Sequence, residues 1–568
     1  MYISEVNING FRNFENITIP FTRFTTIIGK NDEGKSNLLE AISLVLHSDL
    51  FNSKSKKLGQ SDFNRTKLKV FNDFIDTNRS KIISEDSVVL SELEKLIPKI
   101  QVKLTFLDPS NDYEKGLLKD FIEGDEINQY YSIEYLFEPK DYQTYVKYIV
   151  ALAKTDTKDF ISIEDYKYDI YSVNNGKSIS FMKRQSFQGN FIYAERDMFS
   201  QDNNPTSMDL VSKILEKTVN NLERSKIIDL YNKFFDGLKD LSSFKKLFDY
   251  LINDEESNLK SFIETLELKP NTPKFKSIFS NVKISYGDDY LYQKGLGKRN
   301  FMYIMLLFSY FNNVKDLFNL IAVEEPESHL STDNLNLIMS FIHKSLKSDN
   351  TLTQFIITTH RPEVINKLKL DNVVIVNENN AISLKNVETD LVNYLSKRPN
   401  IDILKILFSK KLCLVEGVTE EMYVNTVLEN MDNSIFDIDV ISIGQRGFRM
   451  FLDIWLKVNK GTSNKILVIR DFDNLLQAKD DHDQYAKDNK NIRISTTSNY
   501  TFEDDFVTES TNGKLLSKML NCEEKDVADK LKSDKANSMF EICQSISNKK
   551  LVLSIPAYIK GNIEWLKK

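Results

Sequence analysis

The stretch "TTIIGKNDEGKSNLLEAI", Thr25 to Ile42, decides the fold. An apolar, β-branched run enters a loop with two glycines, and the loop passes straight into a helical pattern. The spacing Gly29-x-x-x-x-Gly34-Lys35-Ser36 is that of a P-loop, in which backbone N–H groups and a helix N-terminus surround phosphate oxygens. Gly29, Asn31, Gly34, Lys35, Ser36 and Asn37 are therefore predicted to bind nucleotide. Lys35 is expected to reach the β/γ-phosphates and Ser36 to ligate magnesium, so ATP with Mg2+ is the expected cofactor pair.

Outward from this loop, the 568 residues are too many for one core, and at about 150 residues per domain three or four domains are expected. A formal charge of -7, from 75 Lys and Arg against 82 Asp and Glu, argues against a nonspecific nucleic-acid coat but permits a local basic face. No apolar run approaches the roughly 20 residues of a membrane helix, and "MYISEVNINGF" opens directly as an alternating strand with no signal peptide. Cys413, Cys522 and Cys543 cannot build a disulfide frame or a four-cysteine zinc site, so a reducing cytoplasm is the expected location.

Strands are predicted at "YISEVNINGF", "FTTIIG", "KIQVKLTFL" (Lys99–Leu107), "QYYSIEYLF" (Gln129–Phe137) and "NVKISY". From Ser207 to Glu267 the apolar spacing becomes helical, as in an inserted hairpin, and strand character then returns at "NLIAV", "QFIITT" and "NVVIV". "LIAVEEPESHLS" ends a buried strand in Glu324 and Glu325: the first is expected to hold magnesium through water and the second to polarise the attacking water. His360, at the end of "IITTH", is predicted to touch the γ-phosphate. The long separation of Lys35 from Val323 fits an ATPase of the ABC or SMC type, which needs a signature loop ahead of the acidic strand. "QKGLGKRN" is the candidate, with Gly295 and Gly297 opening a helix, although Lys294 stands where a serine is usual.

A second acidic pattern follows. "LCLVEGVTEE" puts Glu416 at a strand tip and Glu420 one helical turn later, and "KILVIRDFDN" ends another strand in Asp471-x-Asp473. Carboxylates converging at the ends of adjacent parallel strands are suited to hard cations, and two such cations are the usual machinery of phosphodiester hydrolysis. In this order and spacing they form a Toprim motif.

Both halves together resemble the overcoming-lysogenization-defect (OLD) nuclease family, in the layout of its Gabija nuclease subunits. The resemblance rests on "GFRNF", "GKNDEGKSNLLEAI", "VEEPESHLS", "TTHRPEV", "LVEG" with Glu420, and "RDFD", and it covers essentially the whole chain. It implies an α/β chain: an ABC/SMC-like ATPase (residues 1–200 and 272–395) carrying a helical dimerisation insertion (201–271), followed by a Toprim domain (396–568). It also implies Glu503 and Asp505 of "YTFEDDF" as further metal ligands and Lys560 of "AYIKGNIEWL" as a transition-state cation. The implied activity is a DNA endonuclease using Mg2+ or Mn2+ in antiphage defence, as a homodimer or homotetramer, with a helicase, or a reverse transcriptase with retron RNA, as possible partner. Two other readings share parts of the pattern: a non-catalytic ATP-dependent DNA clamp with a degenerate Toprim lobe, and a primase or topoisomerase. Intact Glu416, Glu420, Asp471 and Asp473 favour the nuclease over the clamp, and three cysteines cannot furnish a primase zinc ribbon.

Overall fold

The computed structural model describes the chain except residues 31–32, 48–56, 108, 110–111, 124–128, 156, 175, 194–209, 246–268, 272–273, 314–317, 329, 348–352, 363, 366–371, 378–379, 386–388, 399–400, 432–435, 445–446 and 473–475. It falls into two compact units, one of residues 46–56 and 179–355 with Met1, the other of residues 2–45, 57–178 and 356–568.

In the larger unit the N-terminal strand Tyr2–Phe11 pairs antiparallel with Phe14–Pro20 on one side and with Ile100–Leu107 on the other. Tyr130–Pro139 and Tyr166–Ser172 extend the antiparallel sheet. Ile100–Leu107 alternates strictly between buried and half-buried residues, as a strand with one face on a core must. By contrast Phe24–Ile28 is buried throughout, and it pairs in parallel with Val373–Asn377. That difference separates a surface antiparallel sheet from a parallel strand covered on both faces.

The C-terminal part of this unit is a four-stranded parallel sheet. Lys411–Val415 lies between Asp439–Ser442 and Lys465–Arg470, and Ile492–Thr496 pairs with Lys465–Arg470 on the far side. One apolar cluster joins Ile28, Val373 and Ile375, behind the P-loop strand, to Leu412, Leu414, Trp455 and Val468 of this sheet and its helix. A second covers the sheet's other face, where Tyr423, Phe502, Phe506 and Ile559 pack on Cys413 and Leu467.

In the smaller unit, Phe318–Glu324 is buried at every position and pairs in parallel with Phe187–Ile192. Of the helical segment expected from Ser207 to Glu267, the described part contains Leu210–Thr218 and Asn221–Lys239. Asn220 starts the second helix: its side chain accepts from Glu223 N while Glu223 reaches back to Asn220 N, both at 3.0 Å. The strand expected at "NVKISY" is a correction: only Ser285–Tyr286 is extended, in a two-residue hairpin with Asp289–Tyr290. Gly287, at φ 65°, lies in the turn, and one further backbone bond, Leu291 N to Ile284 O at 2.9 Å, follows before the chain turns into the segment Leu291–Gln293. No helix among the described residues is long and apolar enough to cross a membrane.

Candidate functional site

The P-loop begins where Phe24–Ile28 ends. A Cβ on Gly29 would lie 2.5 Å from the Val376 carbonyl, so the neighbouring strand excludes any side chain there. Gly34 takes φ 101°, and a Cβ on it would strike Asn13 Nδ2 at 2.2 Å. Two glycines are thus required by close approach and by backbone handedness, not by loop flexibility. The Lys35 side chain is buried, its Nζ donating to the carbonyls of Gly29 at 2.9 Å and Lys30 at 2.7 Å. Ser36 is exposed at the start of the helix Lys35–Val45, whose first turn carries no acid to repel phosphate. This cradle fits a nucleotide phosphate.

Asn37 is tied to the "GFRNF" turn: its Oδ1 accepts from Arg12 Nη1 at 2.8 Å and its Nδ2 donates to Asn13 Oδ1 at 2.7 Å. Arg12 also pairs with Glu40 at 2.7 Å and Asp62 at 2.9 Å. Arg12 and Asn13 brace the loop, a role that the sequence pattern alone did not assign. Thr359 N donates to Ile27 O at 3.2 Å, which sets half-buried His360 beside the strand that feeds the P-loop. Asn31 lies outside the described residues.

In the smaller unit Glu324 is the last residue of its buried strand. Glu325 then takes φ 42°, an uncommon conformation for a side-chain-bearing residue. It is held by Ser328, whose N donates to Glu325 O at 2.9 Å and whose Oγ donates to Glu325 Oε2 at 3.1 Å. Gly295 and Gly297 open the helix Leu296–Asn313, with Lys298 N and Arg299 N donating to Gly295 O at 3.1 and 3.3 Å. The expected glycine-opened helix is present, and Lys294 pairs with Asp289.

The Toprim edge is built by register. Val415 stands opposite Ile469, so the next residues, Glu416 and Arg470, leave adjacent parallel strands side by side, followed by Asp471. Asp471 N donates to Glu416 Oε2 at 3.1 Å, and Asp471 Oδ1 accepts from Phe502 N at 2.8 Å. The latter bond brings the first turn of the helix Phe502–Thr508, with Glu503, onto the strand ends. Glu420 folds back from the helix Val418–Asn430 and accepts from Thr419 Oγ1 at 2.9 Å. A Cβ on Gly417 would lie 2.8 Å from Glu420 Oε2, so glycine makes room for that carboxylate.

Glu416, Glu420, Asp471 and Glu503 are all buried. Burial first, then the charges of Glu420, Glu416 and Glu503, pushes the Asp471 carboxyl up to about 8. Burial likewise raises Glu420, with Glu503 adding to it. Lys535 approaches Glu503 Oε1 at 3.3 Å as an ion pair without hydrogen-bond geometry, and neither buried Glu503 oxygen has a hydrogen-bond partner. Burial works to lower the Lys535 ammonium, but Glu503, Glu420 and Asp471 outweigh it and hold its pKa raised. Among the described residues no three His, Cys, Asp or Glu side chains already stand at metal-ligand spacing. The donor set nevertheless fits a hard divalent cation: four buried carboxylates beside one lysine, with Glu503 Oε2 left without a partner.

Two expected site residues are placed differently from the pattern. Asp505 is spent on its own loop, accepting from Ser498 N at 2.6 Å, Asn499 N at 2.8 Å and Asn499 Nδ2 at 2.7 Å. Lys560 is exposed on the helix Ala557–Lys567, and the lysine paired with the acidic cluster is Lys535. In the C-terminal motif Tyr558 is half-buried, and burial first, then the charges of Asp505, Asp471 and Glu420, raise its hydroxyl pKa. Asp473 lies outside the described residues.

A family model described as an AAA ATPase domain matches residues 1–365, and one described as the TOPRIM domain of overcoming-lysogenization-defect-like proteins matches 407–473. Endonuclease GajA of Bacillus cereus strain HuB5-5 is 22% identical, covering 98% of this chain and 94% of that protein. Endonuclease GajA of strain VD045 is also 22% identical, over 76% of this chain and 68% of that protein. The SMC head domain from Thermotoga maritima overlaps at 16% identity with a TM-score of 0.29, covering 67% of this chain and 99% of that one, too loosely to place residues.

Proposed function

Because the chain belongs to the OLD family of nucleases, with an AAA ATPase domain ahead of its Toprim domain, we propose that it is a divalent-metal-dependent DNA endonuclease whose cutting is governed by nucleotide at the P-loop. The observation that carries this reading is the buried set Glu416, Glu420, Asp471 and Glu503, more negative charge than one lysine can offset. Glu416, Glu420, Asp471 and Glu503, with Asp473, would hold Mg2+ or Mn2+, and Lys535 takes the place beside the scissile phosphate first expected of Lys560. When bound, such cations generate the attacking hydroxide and stabilise the leaving oxygen. The chain's own part is to exclude water and to hold the carboxylates in a fixed array: Phe502 N orients Asp471, and Thr419 orients Glu420.

The ATPase module comprises residues 1–395, and the insertion at 201–271 is its dimerisation element. ATP bound by Gly29, Lys35 and Ser36, with His360, is the switch; Glu324 and Glu325 would serve magnesium and the attacking water, and Gly295 and Gly297 the γ-phosphate of a second copy. A cytoplasmic role in antiphage defence, with a second protein as partner, completes the reading. The test is the purified protein on supercoiled and linear DNA, with magnesium, manganese or chelator, and with or without ATP. Metal-dependent cutting that responds to nucleotide is expected; DNA binding without cutting under every condition would favour the clamp.

A further inference from the structure

The edge that carries the acids has a second built feature one strand away. A cavity of about 550 Å³ is lined by Lys397, Arg398, Lys405, Asp402, Glu421 and Ser442, among others. Ser442 is the last residue of Asp439–Ser442 and stands opposite Val415, the residue before Glu416. Neighbouring strands lie about 4.8 Å apart, so the Ser442 wall of the cavity stands one strand from the residue that precedes Glu416. The helix Val418–Asn430 contributes to both places: Glu420 joins the acids, and Glu421, about 100° round the helix, faces the cavity.

The cavity's carboxylates are occupied by backbone. Asp402 Oδ1 accepts from Lys405 N at 3.1 Å, and Glu421 Oε2 accepts from Ser442 N at 3.2 Å. Its cations are less satisfied. Arg398 Nη1 donates to the Ile443 carbonyl at 2.8 Å and to Tyr394 Oη at 2.9 Å, both neutral acceptors. The Arg398 guanidinium lies over Gly444, where a Cβ would stand 2.4 Å from Nη1, and its remaining N–H groups are not committed to a carboxylate among the described residues. Lys397 is exposed and meets no described carboxylate, and Lys405 shares Asp439 at 3.3 Å.

We propose that this cavity binds a backbone phosphate of the DNA strand being cut, adjacent to the scissile phosphate, through Arg398 and Lys397. The proposal rests on the endonuclease reading for its substrate. A fixed guanidinium with a mobile ammonium beside it recognises a phosphodiester oxygen pair, and a second phosphate contact fixes the register of the strand on the acids. Arg398 and Lys397 are positioning residues, since they touch the substrate away from the reacting bond.

The experiment measures binding of a fluorescent DNA duplex in chelator, over a salt series, and separately the steady-state kinetics of cutting. Lys397→Glu alters an exposed side chain, and Arg398→Gln provides a second variant that keeps the hydrogen bond to Ile443 O available. Each is expected to weaken duplex binding about tenfold and to lower the slope of log affinity against log salt by about one. KM for DNA should rise with kcat at saturation and ATP affinity unchanged. Wild-type duplex affinity and salt slope in both variants would overturn the proposal, as would a fall in kcat at constant KM. To separate a strand from a free nucleotide, fluorescent dAMP is titrated into Lys35→Ala protein. Binding that Lys397→Glu abolishes, while duplex binding stays intact, would overturn the proposal in favour of a nucleotide pocket. Duplex binding that depends on Lys397 in a wild-type protein that never cuts would uphold the phosphate site and remove the endonuclease reading.

Discussion

The P-loop and the Toprim edge lie in the same unit, and each gathers ionisable groups at the end of parallel strands, yet they handle charge in opposite ways. Lys35 is held by two loop carbonyls and Gly34 is locked against Asn13, so the cradle is already formed. The Toprim edge instead concentrates like charges, leaving Asp471 raised to about 8 and Glu503 with Lys535 as its ion-pair partner and no hydrogen bond. A site that awaits an anion can satisfy its lone cation with backbone carbonyls. The acidic edge has one lysine and single donors such as Phe502 N, Asp471 N and Thr419 Oγ1 against four carboxylates, and burial with mutual repulsion raises Asp471 and Glu420.

The contrast is broken most directly by Asp471→Ala, expected to reduce DNA cutting by at least about a hundredfold while ATP binding persists. A variant that still nicks DNA at the wild-type rate would place the active site elsewhere. Next in size, Lys35→Ala should weaken nucleotide binding by about tenfold or more, with a smaller fall in thermal stability because the Gly29 and Lys30 carbonyls lose their donor; calorimetric titration with ATP is the check.

The acidic side also predicts a pH dependence. Asp471 has a folded pKa of about 8, above its ordinary 3.8, so the folded state binds the extra proton. Its contribution to stability is full below the ordinary value and is lost as pH rises through the folded one. In chelator, Tm should therefore fall between about pH 5 and pH 8.5, and Asp471→Asn or saturating magnesium should flatten the fall. An equal slope in wild type and variant would assign the effect to other groups. The smallest effect separates two lysines: Lys535→Ala is expected to lower cutting by about tenfold or more, and Lys560→Ala by less than about twofold. The reverse order in a side-by-side cleavage assay would restore Lys560.

Much of this was legible because strand and loop chemistry are local. The buried run before Gly29 and the alternation of Ile100–Leu107 follow from neighbours in sequence, and "LVEG" and "RDFD" were legible as strand ends from their order along the chain, their strands pairing in the fold. What was not legible depends on tertiary placement. Lys535 lies on the helix Lys535–Ser547, in no motif, and reaches Glu503 only because that helix packs against Val418–Asn430. Lys560 is two residues from half-buried Tyr558 on one helix, roughly 200° around the axis, so its side chain leaves the opposite face and stands in solvent, which the motif alone does not reveal. Asp505 looks like a ligand in "FEDDF", but its oxygens close the turn at Ser498 and Asn499.

The apolar cluster running from Ile28 and Ile375 to Leu412 and Trp455 has a consequence for how such a chain can be taken apart or recombined. A cut near residue 396 would strip both pieces of a packed face, so separately expressed halves should aggregate instead of folding as independent modules. A grafted C-terminal lobe would need to inherit the complementary side chains of the strand behind the P-loop, which makes this seam a barrier to shuffling. In a calorimeter the seam should appear as one shared melting transition, with ATP added at one end delaying the loss of the carboxylate array at the other.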